Sequence, residues 1–301
     1  MAAPQLLRME SGRTSVGCRI CDSPNFSEYL HGRGHRVVEC LDCGLRYVNP
    51  QPSERELREF YAGFDLESTW RGDGEERFDR SMRNFVLQFR QQGSVLDVGS
   101  SRGNFLIAMR GAGFSVFGVE PSPKNSDFAR AANGIDTYTG TVEEFLAAPT
   151  RRDFHVITVL NVIEHVPDPK DVLMRLRELL VEGGLIVLAV PDARLHALIG
   201  GARKKLGFPD PFWMNTRKHP LVGFDPPAHL CSFEPRTISN LVEKSGFQVL
   251  ALRNAPVILN QDLWKNVLKT VLHAGSEFLY FASVGRVVLG YSTVIAARRM
   301  G

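Results

Sequence analysis

From Ser94 onward, short β-branched runs alternate with amphipathic segments, and this alternation restricts the possible folds more than any other feature of the chain. The runs Ser94–Val98, Ser115–Val119, Asp136–Tyr138, His155–Val159, Leu185–Val190, Gln248–Leu252 and Val287–Ala297 read as strands. Strands separated by helix-length segments predict an α/β fold, a sheet of parallel character with helices on both faces. In such a sheet a ligand belongs at the carboxyl ends of the strands.

The first strand and its turn read VLDVGSSRGNF. Asp97 closes the strand, Gly99 and Gly103 bracket a tight turn into a helix beginning near Asn104, and glycine lets backbone approach a ligand closely. The second strand ends in FGVEPS, so Glu120 lies about 20 residues past the turn, where a carboxylate can accept from both hydroxyls of a ribose. These two features mark a nucleoside ligand. The loop is G-S-S-R-G rather than G-x-G-x-x-G and follows an acid, so it would repel a pyrophosphate and attract the cationic sulfonium or ammonium of S-adenosylmethionine.

Upstream lie two C-x-x-C pairs, Cys18/Cys21 and Cys40/Cys43, separated by eighteen residues. That spacing predicts a zinc ribbon, with Gly44 supplying the backbone freedom of a knuckle and Arg36–Glu39 forming a strand of the hairpin carrying the second pair. Four thiolates saturate the ion, so the zinc is expected to be structural. The fifth cysteine, Cys231, reads as a small buried residue. The paired pattern and odd count point to a reducing compartment, and a cytoplasmic protein is expected.

The phrases VLDVGSSRG, FGVEPS, DFHVITVLNVIEHVPDP, LVEGGLIVLAVPD and HLCSFEPRTISNLVEKSGF resemble the successive motifs of class I S-adenosylmethionine-dependent methyltransferases. The nearest group is the one containing the ubiquinone-biosynthesis O-methyltransferases and the zinc-containing sugar C-methyltransferases. The phrase CRICDSPNF…CLDCGLRYVNPQPSERELREFY resembles the N-terminal module of its bacterial members, and the resemblance covers about 18–253. It implies a Rossmann-like seven-stranded methyltransferase sheet with helices on both faces, plus a small N-terminal zinc ribbon. It further implies that Asp97, Gly99, Ser101 and Gly103 contact the methionine end of S-adenosylmethionine, Glu120 with Pro121 the ribose, and the Gly140–Glu143 turn, through Thr141 and Val142, the adenine. Asn161 and Val162 then sit beside the cofactor. Ser101 departs from the pattern, which has glycine there more often.

The expected organisation is a tail over 1–17, the ribbon over 18–48, linker helices over 49–90 with Ser53 opening one towards Tyr61, and the catalytic domain over 91–301. Within it, the insert 191–233 is expected to build the acceptor pocket. After the fourth strand comes LNVIEHVPDP, not the N/D-P-P-Y/F that similar enzymes use for exocyclic amines, which disfavours base N-methylation. His165 and His229 are the candidate acceptor bases, with His165 alternatively packing beneath the cofactor and His229 alternatively fixing the loop. His219 and Asp225 are weaker candidates, Phe212 and Trp213 could wall the pocket, and Lys204 lies on a basic helix. Related ubiquinone-pathway enzymes carry E-x-x-E-H and hold a divalent ion there; here the first acid is Asn161, ahead of Glu164 and His165.

A net charge of +3 from 36 basic and 33 acidic residues offers no face built for many phosphates, so a small-molecule acceptor is expected and nucleic acid is not. The competing readings are an RNA methyltransferase gripping RNA through His31, Arg33, His35, Arg36 and Arg46, and a non-catalytic cofactor-binding subunit. The apolar stretch Phe278–Ala297 is broken by Arg286 and reads as core helix and strand, not as a membrane span.

Overall fold

Each inner strand of the catalytic half is apolar on both faces, so each needs a layer of helices on either side. In the computed structural model, which describes residues 12–32, 34–53, 55–57, 59, 73–148, 153–194, 228–256 and 263–301, that requirement is met. The N-terminal elements are β1 (Phe26–Gly32), β2 (His35–Cys40), β3 (Arg46–Val48) and α1 (Asp73–Leu87). There follow β4 (Ser94–Val98), α2 (Asn104–Gly111), β5 (Ser115–Glu120), α3 (Pro123–Ala131), β6 (Thr137–Thr139), α4 (Val142–Ala147) and β7 (Phe154–Leu160). The chain continues through a 3-10 turn (Ile163–His165), α5 (Pro169–Glu178), β8 (Leu180–Pro191), β9 (Cys231–Ser232), α6 (Pro235–Lys244), β10 (Phe247–Asn254), α7 (Leu263–Ala282) and β11 (Ser292–Arg299).

Seven strands form one sheet in the order β10-β11-β8-β7-β4-β5-β6, parallel except for β11, which runs antiparallel to both β8 and β10. This is the Rossmann-like methyltransferase order. The alternation of strand residues sorts the core onto two faces. Leu96, Val98, Ile157, Val159, Ile186 and Leu188 pack with α4, α5 and α6. Val95, Val156, Val187, Val294 and Ala296 face the other way, against α1 and α2. Helix α1 falls within the 49–90 stretch, yet Phe78, Met82, Phe85 and Val86 make it one of the sheet's covering layers.

β11 begins at Ser292 rather than Val287, and the 287–290 stretch before it stays outside the ladder. The helical half of the Phe278–Ala297 stretch is not core, since Phe278 and Phe281 are 72% and 71% exposed, whereas Val294 to Ala297 are buried. No helix among the described residues is long and apolar enough to cross a membrane.

The N-terminal sheet has the order β1-β2-β3-β9, so its last strand comes from beyond the insert. Tyr47 pairs with Cys231 and Arg46 with Ser232. Cys18, Ile20, Cys40, Leu45 and Tyr47 join Cys231 and Phe233 in the same core as α5 and α6. The ribbon and the catalytic sheet therefore share one apolar interior. Ion pairs reinforce the seam: Arg19 to Asp168 at 3.0 Å, Arg46 to Glu234 at 3.1 Å, and Lys170 to Asp22.

Candidate functional site

The turn after β4 is shaped by what its glycine excludes. Gly99 has φ +76°, and a Cβ there would fall 2.3 Å from Cγ2 of Val162, so only glycine lets the turn lie against the end of β7. Ser101 holds φ +48°, a left-handed conformation that serine adopts at a cost, and its N–H donates to Oε2 of Glu120 at 2.9 Å. Oε1 of Glu120 accepts from Ser122 N–H at 2.9 Å. The Asn125 side chain also bonds this carboxylate, which as an acceptor of up to about four hydrogen bonds retains capacity towards a ribose hydroxyl. Burial pushes the Glu120 carboxyl upward, while the Ser122 and Ser101 amides pull the other way.

Asp97 is 4% exposed and accepts from Thr158 Oγ1 at 2.6 Å. Burial, aided by the charges of Asp79 and Glu120, pushes its pKa up to about 8. A buried acid of this kind gains most from a cation placed beside it. At the third strand end Thr141 caps α4, accepting from Glu144 N–H while Glu144 Oε2 accepts from Thr141 N–H, so the Gly140–Glu143 turn is a preformed capping box. Pro121 and Thr141 are exposed and Val142 is buried.

Asn161 leaves β7 with φ +55°, a conformation asparagine tolerates better than most residues, and its N–H donates to Ala189 O at 2.8 Å. The chain then turns through Val162 into the 3-10 turn. His165 Nδ1 lies 2.7 Å from the carbonyl oxygen of Ala228, and since a carbonyl only accepts, Nδ1 carries the proton and Nε2 the lone pair. Burial holds this imidazole below the usual histidine range. The ring centroids of His165 and His229 are 4.7 Å apart. Glu164 is 2% exposed, its Oε2 has no hydrogen-bond partner among the described residues, and burial raises its pKa to about 8. Ligand atoms of Glu164, His165 and His229 lie within 4.8 Å of one another.

Both sequence-chosen histidines thus meet at one place, beside the loop that Val162 supports. His219, Asp225, Phe212, Trp213, Lys204, Arg33 and Tyr61 fall outside the described residues. Sequence reasoning assigned Glu164 no base or proton-holding role; a glutamate between Ile163 and His165 gives no signal of its burial. It also overlooked β9, whose two residues are too short to read as a strand.

Around the cysteines, Cys18 and Cys43 sulfurs are 3.3 Å apart, Cys21 and Cys40 sulfurs 3.5 Å, and all four lie within 4.8 Å of one another. Four sulfurs at about 2.3 Å from one ion would be roughly 3.8 Å apart, so this donor set fits a closed tetrahedral zinc site. Each knuckle closes on a residue of positive φ: Asp22 N–H donates to Cys18 O and Gly44 N–H to Cys40 O, both at 2.9 Å. The Cys43 thiol and burial push the Cys18 thiol well up, and a cation in the cluster reverses that balance.

A family model described as "Methyltransferase domain" matches residues 70–252. The ubiquinone biosynthesis O-methyltransferase of Histophilus somni is 29% identical over 245 residues, 75% of this chain and 98% of that protein. The protein of the same name from Nitrosomonas europaea is 33% identical over 116 residues, 36% of this chain and 49% of its own length. In that and similar matches the chain spans about half the length of the curated relative. Among solved structures, an S-adenosylmethionine-dependent methyltransferase from Archaeoglobus fulgidus superposes with a TM-score of 0.50 at 18% identity, over 78% of this chain and 98% of that one, a likeness of fold.

Proposed function

This chain belongs to the methyltransferase-domain family, and we propose that it transfers the methyl group of S-adenosylmethionine to an oxygen or carbon of a small-molecule acceptor. One observation carries the reading. Val162, packed on Gly99 of the cofactor loop, is followed directly by the turn that brings Glu164 and His165 to His229. The nucleoside cradle and a cluster of proton-handling groups are therefore contiguous.

When bound, S-adenosylmethionine supplies an electrophilic methyl group on a sulfonium. Glu120 would accept from the ribose, the Thr141–Val142 cap would border the adenine, and Asp97 would offset positive charge at the methionine end. The proton given up by the acceptor's oxygen or carbon as it takes the methyl group would pass to a neutral imidazole. His165 offers Nε2 for this, because Nδ1 is committed to Ala228; His229 is the second candidate. Alignment of acceptor and methyl group supplies most of the rate, and the base contributes the remainder.

The names of the relatives favour oxygen of a biosynthetic intermediate, and the cysteine ribbon favours a sugar-type acceptor. The RNA reading weakens because two of the ribbon's cations are engaged internally: Arg46 pairs with Glu39 at 2.7 Å and with Glu234, and Arg36 donates to Asn49 O at 2.8 Å. The cytoplasm suits a four-cysteine zinc site, because a reducing compartment keeps the thiols available to the metal. The decisive experiment incubates the protein with methyl-labelled S-adenosylmethionine and fractionated bacterial extract. Label in a nuclease-resistant, low-mass fraction supports the reading; label confined to RNA overturns it.

A further inference from the structure

The segment carrying His229 is held on two sides. On one side Leu230 N–H donates to Glu164 O at 2.8 Å, and Ala228 O accepts from His165 Nδ1. On the other, Val48 N–H of the ribbon donates to Leu230 O at 2.9 Å, and Tyr47 and Arg46 pair with the two residues of β9. Strand β3 is in turn paired to β2, which ends at Cys40, and Cys40 N–H donates to Leu45 O at 2.9 Å. A continuous ladder therefore runs from a metal-binding cysteine to the residue after His229.

Further polar ties of the ribbon land near the same histidine pair. Arg19 reaches Asp168, and Gln51 Nε2 donates to Pro167 O at 3.0 Å, just past His165. Arg46 reaches Glu234, just past β9. Hydrogen bonds in the β4–β5 turn region run to other partners, although its apolar neighbours Val98 and Val119 belong to the same core as the ribbon. Asp97 is held by Thr158, Gly99 N–H donates to Val119 O at 2.8 Å, and Glu120 binds Ser101 and Ser122.

We propose that the zinc-loaded ribbon is the positioning element for the His165–His229 pair, setting the relation of the two rings through the β2–β3–β9 ladder without acting on the cofactor cradle. Four cysteines locked around one ion fix the end of β2, and a hydrogen-bonded ladder transmits that constraint because its strands are buried and packed. This deepens the role given to the pair above, yet ring positions report on it whether or not either histidine is the base.

The test uses the full chain with labelled histidine rings, loaded with S-adenosylhomocysteine and followed by nuclear magnetic resonance. Signals are assigned with His165→Gln and His229→Gln, and zinc is removed with a mercurial and chelator. The His165 and His229 signals should move or broaden on metal loss. The affinity for S-adenosylhomocysteine should stay within about threefold, less than 1 kcal/mol. His155, bonded to Ser94 at the opposite end of the sheet, should not respond. Arg46→Gln, which keeps all four cysteines, should move the same two signals by less. Unmoved His165 and His229 signals in protein shown to lack metal would overturn the proposal. So would a collapse of affinity together with movement of His155, since that makes the ribbon a general support of the fold. If the stripped chain precipitates, the Arg46→Gln spectrum decides alone. Failure of the proposed function reads out separately, as histidine variants that keep full turnover while their ring signals still follow zinc.

Discussion

The backbone N–H of Ser101 donates to Oε2 of Glu120 at 2.9 Å, so the turn after β4 and the acid closing β5 hold each other in place. Glu120→Ala removes both this buttress and the expected ribose acceptor. It should weaken S-adenosylhomocysteine binding by about 1–3 kcal/mol, read by calorimetry. An unchanged affinity would show that the ribose binds elsewhere.

Two substitutions in the same loop should act in opposite directions. Gly99→Ala places a methyl against Val162 at a φ that alanine resists, and it should cost about 2–4 kcal/mol of stability and displace the turn leading to His165. Ser101→Gly relieves a left-handed serine and should leave stability level or raise it by up to about 1 kcal/mol. Chemical denaturation checks both; a marked loss from Ser101→Gly would show that the hydroxyl itself contributes.

Asp97 gives a pH signature. Its carboxyl rises from 3.8 to about 8 on folding, so between those values the folded state binds more protons than the unfolded one, and stability falls as pH rises. Asp97→Asn cannot ionise and should flatten that fall, while losing affinity for S-adenosylmethionine most at pH values above 8, where the parent carboxylate is charged. Denaturation midpoints of parent and variant that fall in parallel with pH would contradict the assignment.

If His165 or His229 removes the acceptor's proton, its replacement by alanine should lower turnover by about 10²–10⁴-fold with little change in cofactor affinity. Burial lowers the His165 pKa, so a limb due to this residue should lie below the ordinary 6.5 and vanish in the His165 variant. A ring that only positions its neighbours would instead raise the acceptor KM at near-parental kcat. Two variants with parental turnover and an unaltered acidic limb would leave desolvation of an already acidic acceptor as the better account.

Elemental analysis of reduced protein should find about one zinc per chain, released together with the four thiols of the ribbon. A second equivalent that disappears in His229→Ala would place a metal at the Glu164–His165–His229 cluster. Metal-free, reduced and folded protein would remove the zinc assignment.

The parts visible in the sequence are those governed by local rules. The short β-branched runs of Ser94–Val98 and its successors, the glycine loop after β4, the acid closing β5 and the C-x-x-C spacing each express a constraint acting over a few residues, and each can be read without knowing the fold. The choice of His165 and His229 also came from sequence, but their 4.7 Å approach did not. It depends on a chain returning through β9 to pair with the N-terminal ribbon, a pairing of two residues against three with no periodic signal of its own. The burial of Glu164 and Asp97 is likewise a tertiary outcome, because a carboxyl's pKa is set by the low-dielectric surroundings that other elements bring to it. Sequence alone determined the sheet, the glycine turn with its neighbouring acid and the cysteine cluster; tertiary structure alone decided that the ribbon and the His165–His229 pair share a ladder, since hydrogen bonds between distant strands are fixed only once the core has closed around them.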